Sequence, residues 1–217
     1  MSAGEVHQAT DSEYMQRAEK LLALLQSDFG VPRATRTVIA VAGESGSGKS
    51  VTAIDLAAVL DRAGIRSAII HQDNYFVRPP RTNHEHRLTD IGSVGPGEVQ
   101  MDLIGEHMRA FRAGHAAVTA PVVDYPGNRF LTQQLDFTAT DVLVVEGTYA
   151  LFLDDAEIRI FLEATYADSA ERRRERDRDP DAPIIATILD IEHRIIAPQA
   201  ARADIVISRT YDIARRG

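Results

Sequence analysis

The chain has no cysteine, which removes several kinds of chemistry from consideration. None of its 217 residues can form a disulfide, bind zinc through a thiolate or act as a cysteine nucleophile. Chains without disulfides are typical of reducing compartments, so we expect a cytoplasmic location.

Positive charge is also scarce relative to negative charge. The chain has 24 Lys and Arg residues against 32 Asp and Glu residues, a formal net charge of -8. This balance provides no overall basic field for nucleic acid or for an anionic membrane. We therefore expect neither as a partner, and any phosphate must be bound by local groups.

Long apolar stretches are missing as well. The apolar runs around Leu21 and Val142 are far shorter than the roughly 20 residues needed to span a bilayer. The N-terminal sequence MSAGEVHQATDSE has no basic region followed by an apolar one, so we expect no secretory signal. The length and the hydrophobic fraction of 44% are ordinary for a soluble α/β domain with a full core.

One short stretch, GESGSGKS at residues 43–50, has the spacing G-x-x-x-x-G-K-[ST] of a phosphate-binding loop. Glycines let the backbone bring N–H groups close to an anion, and a following helix adds unpaired N–H donors. The alternative, a Gly/Ser-rich turn, does not explain the order of strand, loop, lysine and helix. We expect Lys49 to contact the outer phosphates and Ser50 to ligate Mg²⁺. The predicted nucleotide contacts are Gly43, Ser45, Gly46, Ser47, Gly48, Lys49, Ser50 and Val51.

Apolar strands alternate with helices along the chain, which predicts a three-layer, doubly wound α/β fold around a mainly parallel sheet. The polar residues 79–97 predict a long loop. The predicted strands are 37–42, 66–71, 142–145, 158–162 and 205–207. The predicted helices are 12–28 with Ser12 as its N-cap, 49–63, 98–113 ended by Gly114, 167–178 and 184–196.

Acidic residues follow two of these strands, at the sheet edge where α/β folds bind ligands. Phosphoryl transfer to an alcohol needs oxygen ligands for a metal ion and a group that accepts the hydroxyl proton. Ser50, Asp73 and Glu146 are predicted metal ligands, directly or through water, and Asp73 is also the candidate base. The alternatives are that Asp73 is an ordinary loop residue and that Glu146 accepts hydrogen bonds without touching the metal.

An arginine-rich segment, ADSAERRRERDRDP at residues 167–180, follows the fourth predicted strand. On a helix, Arg174 and Arg178 share one face and Arg172 and Arg176 another, so the arginines cannot all face one nucleotide. We predict that one or two of them, first Arg174 and Arg178, reach the phosphates from a lid that excludes water. The alternative is a solvated helix whose arginines pair with neighbouring glutamates.

Taken in order, these segments resemble the uridine kinase and phosphoribulokinase group of P-loop kinases. The resemblance rests on IAVAGESGSGKS, HQDNYF, VVDYPGNR, DVLVVEGTYAL, the arginine-rich segment and ADIVIS, from about residue 37 to 208. It implies transfer of the terminal phosphate of ATP, with Mg²⁺, to a hydroxyl of a small metabolite, first of all a nucleoside. It also implies a catalytic role for Asp73, contacts of Gly46, Gly48, Lys49 and Ser50 with the ATP phosphates and Mg²⁺, and a metal-linked role for Glu146. Lys49 and, from the lid prediction above, Arg174 are also predicted to be catalytic.

The chain length allows one α/β domain, so we expect a single kinase domain at residues 1–217, although the resemblance leaves the N-terminal helix outside it. Residues 1–30 are predicted to form an N-terminal amphipathic helix, residues 37–208 the kinase core, and residues from about 168 to 184 the lid.

The acceptor site departs from the uridine kinase pattern. The family's Asp-His-Pro segment, whose aspartate holds the ribose hydroxyls, corresponds to SVGPG at residues 93–97, and the Val94 side chain cannot accept a hydrogen bond. The base-reading segment corresponds to VDYPGNR at residues 123–129. The predicted acceptor contacts are Asp73, Tyr75, Asp124, Tyr125 and Arg129, although an aromatic ring such as that of Tyr75 is often simple packing.

Residues 78–90, RPPRTNHEHRLTD, offer Arg78, Arg81 and Arg87 to an acceptor that carries a phosphate or carboxylate, or they form a solvated loop. A phosphorylated sugar and a pantothenate-like acid are alternative acceptors of this kind, and a nicotinamide riboside is a further alternative acceptor.

Two other functional classes compete with a kinase. A GTPase would carry an N/T-K-x-D segment and a transporter ATPase an LSGGQ-like stretch, and the sequence has neither. A non-catalytic nucleotide-binding regulator or switch stays open, although the presence of Lys49, Ser50, Asp73 and Glu146 argues against it. Homo-oligomerisation is also left open by the sequence.

Overall fold

The computed structural model describes residues 3–168 and 183–216. The helices are α1 (Ala3–Phe29), α2 (Lys49–Arg62), α3 (Pro80–Thr89), α4 (Met101–Arg112) and α5 (Pro183–Ile196). The strands are β1 (Thr37–Gly43), β2 (Ser67–His71), β3 (Ala117–Asp124), β4 (Arg129–Asp136), β5 (Val142–Glu146), β6 (Ile158–Leu162), β7 (Ile205–Ile207) and β8 (Ile213–Arg215).

The main sheet has six strands in the order β2-β5-β1-β6-β7-β8, and β3 and β4 form a separate hairpin. The first five strands of that order are parallel, and β8 alone is antiparallel to its neighbour β7. Because the order is not sequential, helices must cross over the sheet between strands. The predicted doubly wound, mainly parallel fold is confirmed.

The central strand β1 separates two apolar clusters, because side chains alternate between the faces of a strand. Val38, Ala40 and Ala42 pack with α4 on one face, whereas Ile39 and Val41 pack with α1 and α2 on the other. All of these side chains are fully buried. Burial of an aliphatic side chain contributes about 1.5–3 kcal/mol, so the strand that leads into the phosphate loop is held firmly from both sides.

The first helix is longer than predicted. It begins at Ala3, so Ser12 lies inside the helix and the predicted N-cap at Ser12 is wrong. The pattern could not reveal the first turns, because residues 3–11 contain few apolar side chains at helical spacing. From Ala18 onward the helix buries Leu21, Leu22 and Leu25 against the sheet side formed with α2.

The predicted loop at residues 79–97 is wrong, because it contains α3 and two short 3₁₀ turns. Pro80 occupies the first turn of α3, where a missing N–H is tolerated. Only Asn83 is buried on this helix, so there is no apolar stripe to detect. The next helix begins at Met101 instead of Glu98, and Gly114, with φ of +87°, follows its end as predicted.

Two β features were not predicted. The hairpin of β3 and β4 has most of its side chains exposed or half-buried, so it lacks the continuous apolar pattern of a parallel strand. The short edge strand β8 follows β7 through a loop that contains Tyr211.

Most of the predicted charged helix at 167–178 lies outside the described residues. Of the helices that the structure describes, none combines the length and the hydropathy that crossing a bilayer requires.

Candidate active site

The phosphate loop connects β1 to α2 at the carboxyl edge of the sheet. Gly46 and Gly48 have φ angles of +77° and +100°, a region that costs residues with a side chain about 1–2 kcal/mol. The N–H of Thr52 donates to the Gly48 carbonyl at 2.8 Å as the helix starts, and the first N–H groups of a helix have no partner within it. The N–H of Ser47 donates to the Glu44 carbonyl at 3.1 Å and its side chain is fully buried, so its contact with the nucleotide stays a prediction. In this conformation Ser47 shapes the loop.

Three side chains meet directly beside this loop. The Ser50 hydroxyl donates to Glu146 Oε2 at 3.1 Å, and His71 Nδ1 donates to Glu146 Oε1 at 2.8 Å. Glu146 is only 3% exposed, so both of its oxygens have partners as a buried carboxylate requires. The arrangement follows from sheet register, because His71 and Glu146 are paired residues at the ends of β2 and β5.

The hydrogen bond to Glu146 raises the pKa of His71 above its ordinary value. The negative charges of Glu146 and Asp73 act in the same direction, and burial opposes them. The protonated imidazole is therefore favoured where it donates to the carboxylate.

Asp73 lies two residues beyond His71, in the 3₁₀ turn Gln72–Tyr75, and its side chain is exposed. Close contact between Gln72 and Gly147 holds this turn against the end of β5. A Cβ on Gly147 would lie 2.3 Å from Gln72 Cβ, so only glycine permits this approach. Gln72 Oε1 also accepts the N–H of Tyr149 at 2.8 Å. Asp73 and Glu146 thus lie on the same edge of the sheet, beside the phosphate loop.

The β3–β4 hairpin is attached next to Asp73, because Asn74 Oδ1 accepts the N–H of Val123 at 3.0 Å. At the hairpin turn, the Asp124 carboxylate accepts hydrogen bonds from Arg129 Nε at 2.9 Å and from the N–H of Gly127 at 3.1 Å. Both hydrogen bonds lower the pKa of Asp124, and the one from the Gly127 amide has the larger effect. The predicted acceptor residues Asp124 and Arg129 are therefore paired with each other, which gives them a turn-stabilising role in this conformation.

The two predicted aromatic contacts differ in exposure. Tyr125, at the hairpin turn, is 61% exposed. Tyr75 is 2% exposed, and its hydroxyl is 2.9 Å from His107 Nδ1 in the core. In this conformation the Tyr75 ring packs in the core, as the packing alternative expects, and its contact with the acceptor stays a prediction.

Two of the three arginines proposed for an anionic acceptor have internal partners. Arg87 donates from Nε and Nη2 to the two oxygens of Glu98, at 2.7 and 2.8 Å, and from Nη2 to Glu192 at 3.1 Å. The side chain of Arg81 donates to the Pro126 carbonyl at 3.0 Å. Both arginines therefore hold protein segments together.

Helix α5 brings Glu192 into this buried charged group, where it is 8% exposed. Burial raises the pKa of Glu192, and the positive charges of Arg87 and Lys49 oppose the rise. The charge of Glu192 on α5 thus interacts with that of Arg87 on α3 and with that of Lys49 in the phosphate loop.

The residues at the strand ends fit ATP and Mg²⁺. The left-handed glycines leave room for an anion against the loop amides, and Mg²⁺ takes only a few protein oxygens such as those of Ser50 and Glu146. Within residues 3–168 and 183–216, no group of three or more His, Asp or Glu side chains forms a metal cage. Arg174 and Arg178, predicted to contact phosphate, lie outside the described residues.

Sequence reasoning missed His71, Glu44 and Glu192. His71 was detectable in principle, because it precedes Asp73 by two residues at the strand end. Glu44 occupies a variable position of the phosphate-loop pattern, and Glu192 is one carboxylate in a helix with other charges, so neither has a sequence signal of its own.

Comparisons with known proteins agree with this geometry. The family described as phosphoribulokinase / uridine kinase matches residues 38–214. A uridine kinase of Staphylococcus haemolyticus is 30% identical over 187 residues, covering 80% of this chain and 88% of that protein. The bifunctional alpha-galactosidase/sucrose kinase AgaSK of Mediterraneibacter gnavus is 27% identical over 188 residues, which is 80% of this chain but 20% of that protein.

A solved structure, described as a possible uridine kinase from Bacillus stearothermophilus, has the same fold. It superimposes with a TM-score of 0.64 at 18% identity and covers 89% of this chain and 98% of its own. With the matching loop, strand-end carboxylates and sheet order, these similarities show that the chain belongs to the phosphoribulokinase/uridine kinase family and is an ATP-dependent small-molecule kinase.

Proposed function

We propose that the protein transfers the terminal phosphate of ATP, assisted by Mg²⁺, to a hydroxyl of a small metabolite, with a nucleoside as the first candidate. The observation that carries the proposal is the bonded group of Ser50, Glu146 and His71 beside the phosphate loop, with Asp73 two residues away. We also propose that residues 1–217 form one kinase domain with a core at 37–208.

Each of these side chains has a distinct task in the proposal. Lys49 binds the outer phosphates, and the exposed Asp73 orients the acceptor hydroxyl and accepts its proton. Ser50, Glu146 and Asp73 would hold Mg²⁺, directly or through water, and the ion would neutralise charge on the phosphate oxygens. His71 fixes the orientation of Glu146 through its hydrogen bond. Arg174 and Arg178 stay proposed phosphate contacts on sequence grounds.

The internal partners of Arg81 and Arg87 favour an uncharged acceptor over a phosphorylated sugar or a carboxylic acid. A neutral sugar is the second candidate, because the chain resembles a sucrose kinase as well as uridine kinases. Val94 is 6% exposed and apolar, so ribose hydroxyls would need another partner.

The experiment is a measurement of Mg·ATP consumption and phosphorylated product with a panel of nucleosides, neutral sugars and small acids. Lys49→Ala and Asp73→Asn are both expected to lower transfer at least about a thousandfold, because each removes a group that acts on the reacting atoms. Asp73→Asn is expected to keep the ATP dissociation constant within about threefold, because Asp73 acts on the acceptor.

Matched controls are Lys20→Ala, at the only other lysine of the chain, and Asp102→Asn, at an exposed aspartate of α4. Both are expected to retain full transfer. Acceptor-independent hydrolysis with no phosphorylated product would contradict the kinase proposal. An equal loss of ATP affinity in Asp73→Asn and Lys49→Ala would contradict the role of Asp73 alone.

A further inference from the structure

Glu44 is a buried carboxylate inside the phosphate loop, and the proposed chemistry does not use it. The residue is 4% exposed. A carboxylate in such a place must have strong partners, because desolvation of an ionised group is costly. Its position, directly after Gly43 at the end of β1, puts these partners at the base of the nucleotide site.

The two oxygens of Glu44 bind two different segments of the chain. Oε2 accepts the backbone N–H of Tyr166 at 2.8 Å, beyond β6, and Oε1 accepts His193 Nδ1 at 2.6 Å, from α5. Because a carboxylate only accepts, His193 carries its proton on Nδ1. The rings of Tyr166 and His193 also meet edge to face, with centroids 6.2 Å apart. One loop side chain therefore joins both segments.

Two adjacent residues of α5, Glu192 and His193, contact different parts of the proposed site, namely the acceptor side at α3 and the phosphate loop. His193 contacts the phosphate loop, and Glu192 contacts Arg87 of α3, which in turn pairs with Glu98. Successive helical residues point about 100° apart, so neighbouring positions can contact different elements. The helix thus spans from the phosphate side to the acceptor side.

We propose that Glu44 and His193 are positioning residues that hold α5 against the phosphate loop and thereby keep the loop in its ATP-binding shape. The backbone of Glu44 takes part in this shape, because its carbonyl accepts the N–H of Ser47. Without the His193 hydrogen bond, the buried carboxylate has to find another partner, and the loop backbone moves with it. The inference rests on the proposed function, because it assumes that this loop binds ATP.

The test compares His193→Leu with His193→Asn. The asparagine amide nitrogen can take the place of Nδ1 and donate to Glu44, whereas leucine cannot. The dissociation constant of Mg·ATP is measured by calorimetric titration, and kcat and KM for ATP are measured with the accepted substrate. His193→Leu is expected to bind ATP about tenfold more weakly, which corresponds to about 1.4 kcal/mol, mainly through KM.

His193→Asn is expected to bind ATP within about twofold of the natural protein, which a merely space-filling role would not give. His115→Leu, at an exposed histidine after α4, is the matched control and is expected to have no effect. Glu44→Gln is the second variant if His193→Leu does not fold. It is expected to weaken ATP binding about threefold, because a neutral amide is a weaker acceptor than a carboxylate.

This inference would be overturned if a folded His193→Leu variant bound ATP as tightly as the natural protein. It would also be overturned if His193→Asn bound ATP as weakly as His193→Leu. Either result would leave the kinase proposal intact. If His193→Leu does not fold, an ATP affinity of Glu44→Gln that equals that of the natural protein would likewise overturn this inference. A natural protein that does not bind Mg·ATP would overturn the proposed function and this inference with it.

Discussion

Replacement of Arg87 by methionine tests whether the buried charged group beside the acceptor site is a structural requirement. Arg87 is the cation shared by Glu98 and Glu192, through contacts of 2.7, 2.8 and 3.1 Å. The side chains of these residues are 15%, 1% and 11% exposed. Methionine fills much of the same volume but leaves the two carboxylates without their counter-charge.

Removal of one partner from a buried ion pair costs about 3–5 kcal/mol, because an uncompensated charge remains. This is a large part of the about 5–15 kcal/mol that stabilises a typical domain. For a chain of this size, it corresponds to a fall of roughly 6–20 °C in the unfolding midpoint. Urea unfolding followed by circular dichroism at pH 7 measures the free energy, with thermal unfolding as a second readout.

The matched control is Arg194→Met, which removes the same side chain from an ion pair with Asp190. That pair is 74% and 45% exposed, so its loss is expected to cost no more than about 0.5 kcal/mol. A second variant, Arg87→Met combined with Glu98→Gln, is expected to recover part of the loss, because the amide removes one uncompensated charge. The reasoning would be refuted by equal destabilisation in Arg87→Met and Arg194→Met.

The pH dependence provides an independent check. Burial alone raises the pKa of Glu98, but hydrogen bonds from Arg87 and the Gly95 amide bring it below its ordinary value of 4.5. A lowered carboxyl pKa gives stability that is present above the unfolded value and lost as pH falls through the folded value. In Arg87→Met the charged form of Glu98 loses this support. The difference in unfolding free energy between the natural protein and the variant is therefore expected to be smallest in acid, where Glu98 is protonated in both proteins, and to grow as pH rises through the folded-state pKa values of Glu98.

Two further variants test individual features of the site. Burial raises the pKa of Glu192 above 4.5, so its charge destabilises the fold as pH rises through the raised value. Over that pH range, Glu192→Gln is expected to gain stability relative to the natural protein. A difference in unfolding free energy that did not depend on pH would contradict this. Gly48→Ala is expected to lose about 1–2 kcal/mol of stability, because its φ is +100°, and to lose ATP affinity in a calorimetric titration. Gly64→Ala, at φ of +77° in open space, is expected to have a similar stability cost with unchanged ATP affinity, so equal effects on ATP binding would refute the role of Gly48.

The nucleotide half of the site could be predicted because short stretches of sequence encode it. The loop from Gly43 to Ser50 is contiguous, and its glycines have the backbone angles that the motif implies. Asp73 and Glu146 lie at the carboxyl ends of short apolar runs that indicate buried parallel strands, and parallel strands bring their carboxyl ends to one edge. The observed register, in which His71 pairs with Glu146, is a direct consequence.

The acceptor half could not be predicted in the same way, because long-range contacts form it. Helix α3 has no apolar stripe and is held by Arg87 pairing with Glu98 and Glu192, of which Glu192 is 105 positions away in sequence. No local pattern reveals such a pair, and the same polar residues were therefore interpreted as a loop with arginines for an anionic ligand. The reason for the error is physical: Arg87, whose charge appears available for a substrate in the sequence, is already paired with two carboxylates, and the side chain of Arg81 donates to a backbone carbonyl. Because Arg81 and Arg87 are engaged within the protein and Tyr125 is exposed at the hairpin turn, we expect the acceptor specificity of the proposed kinase to depend more on accessible groups such as Tyr125 than on these two arginines.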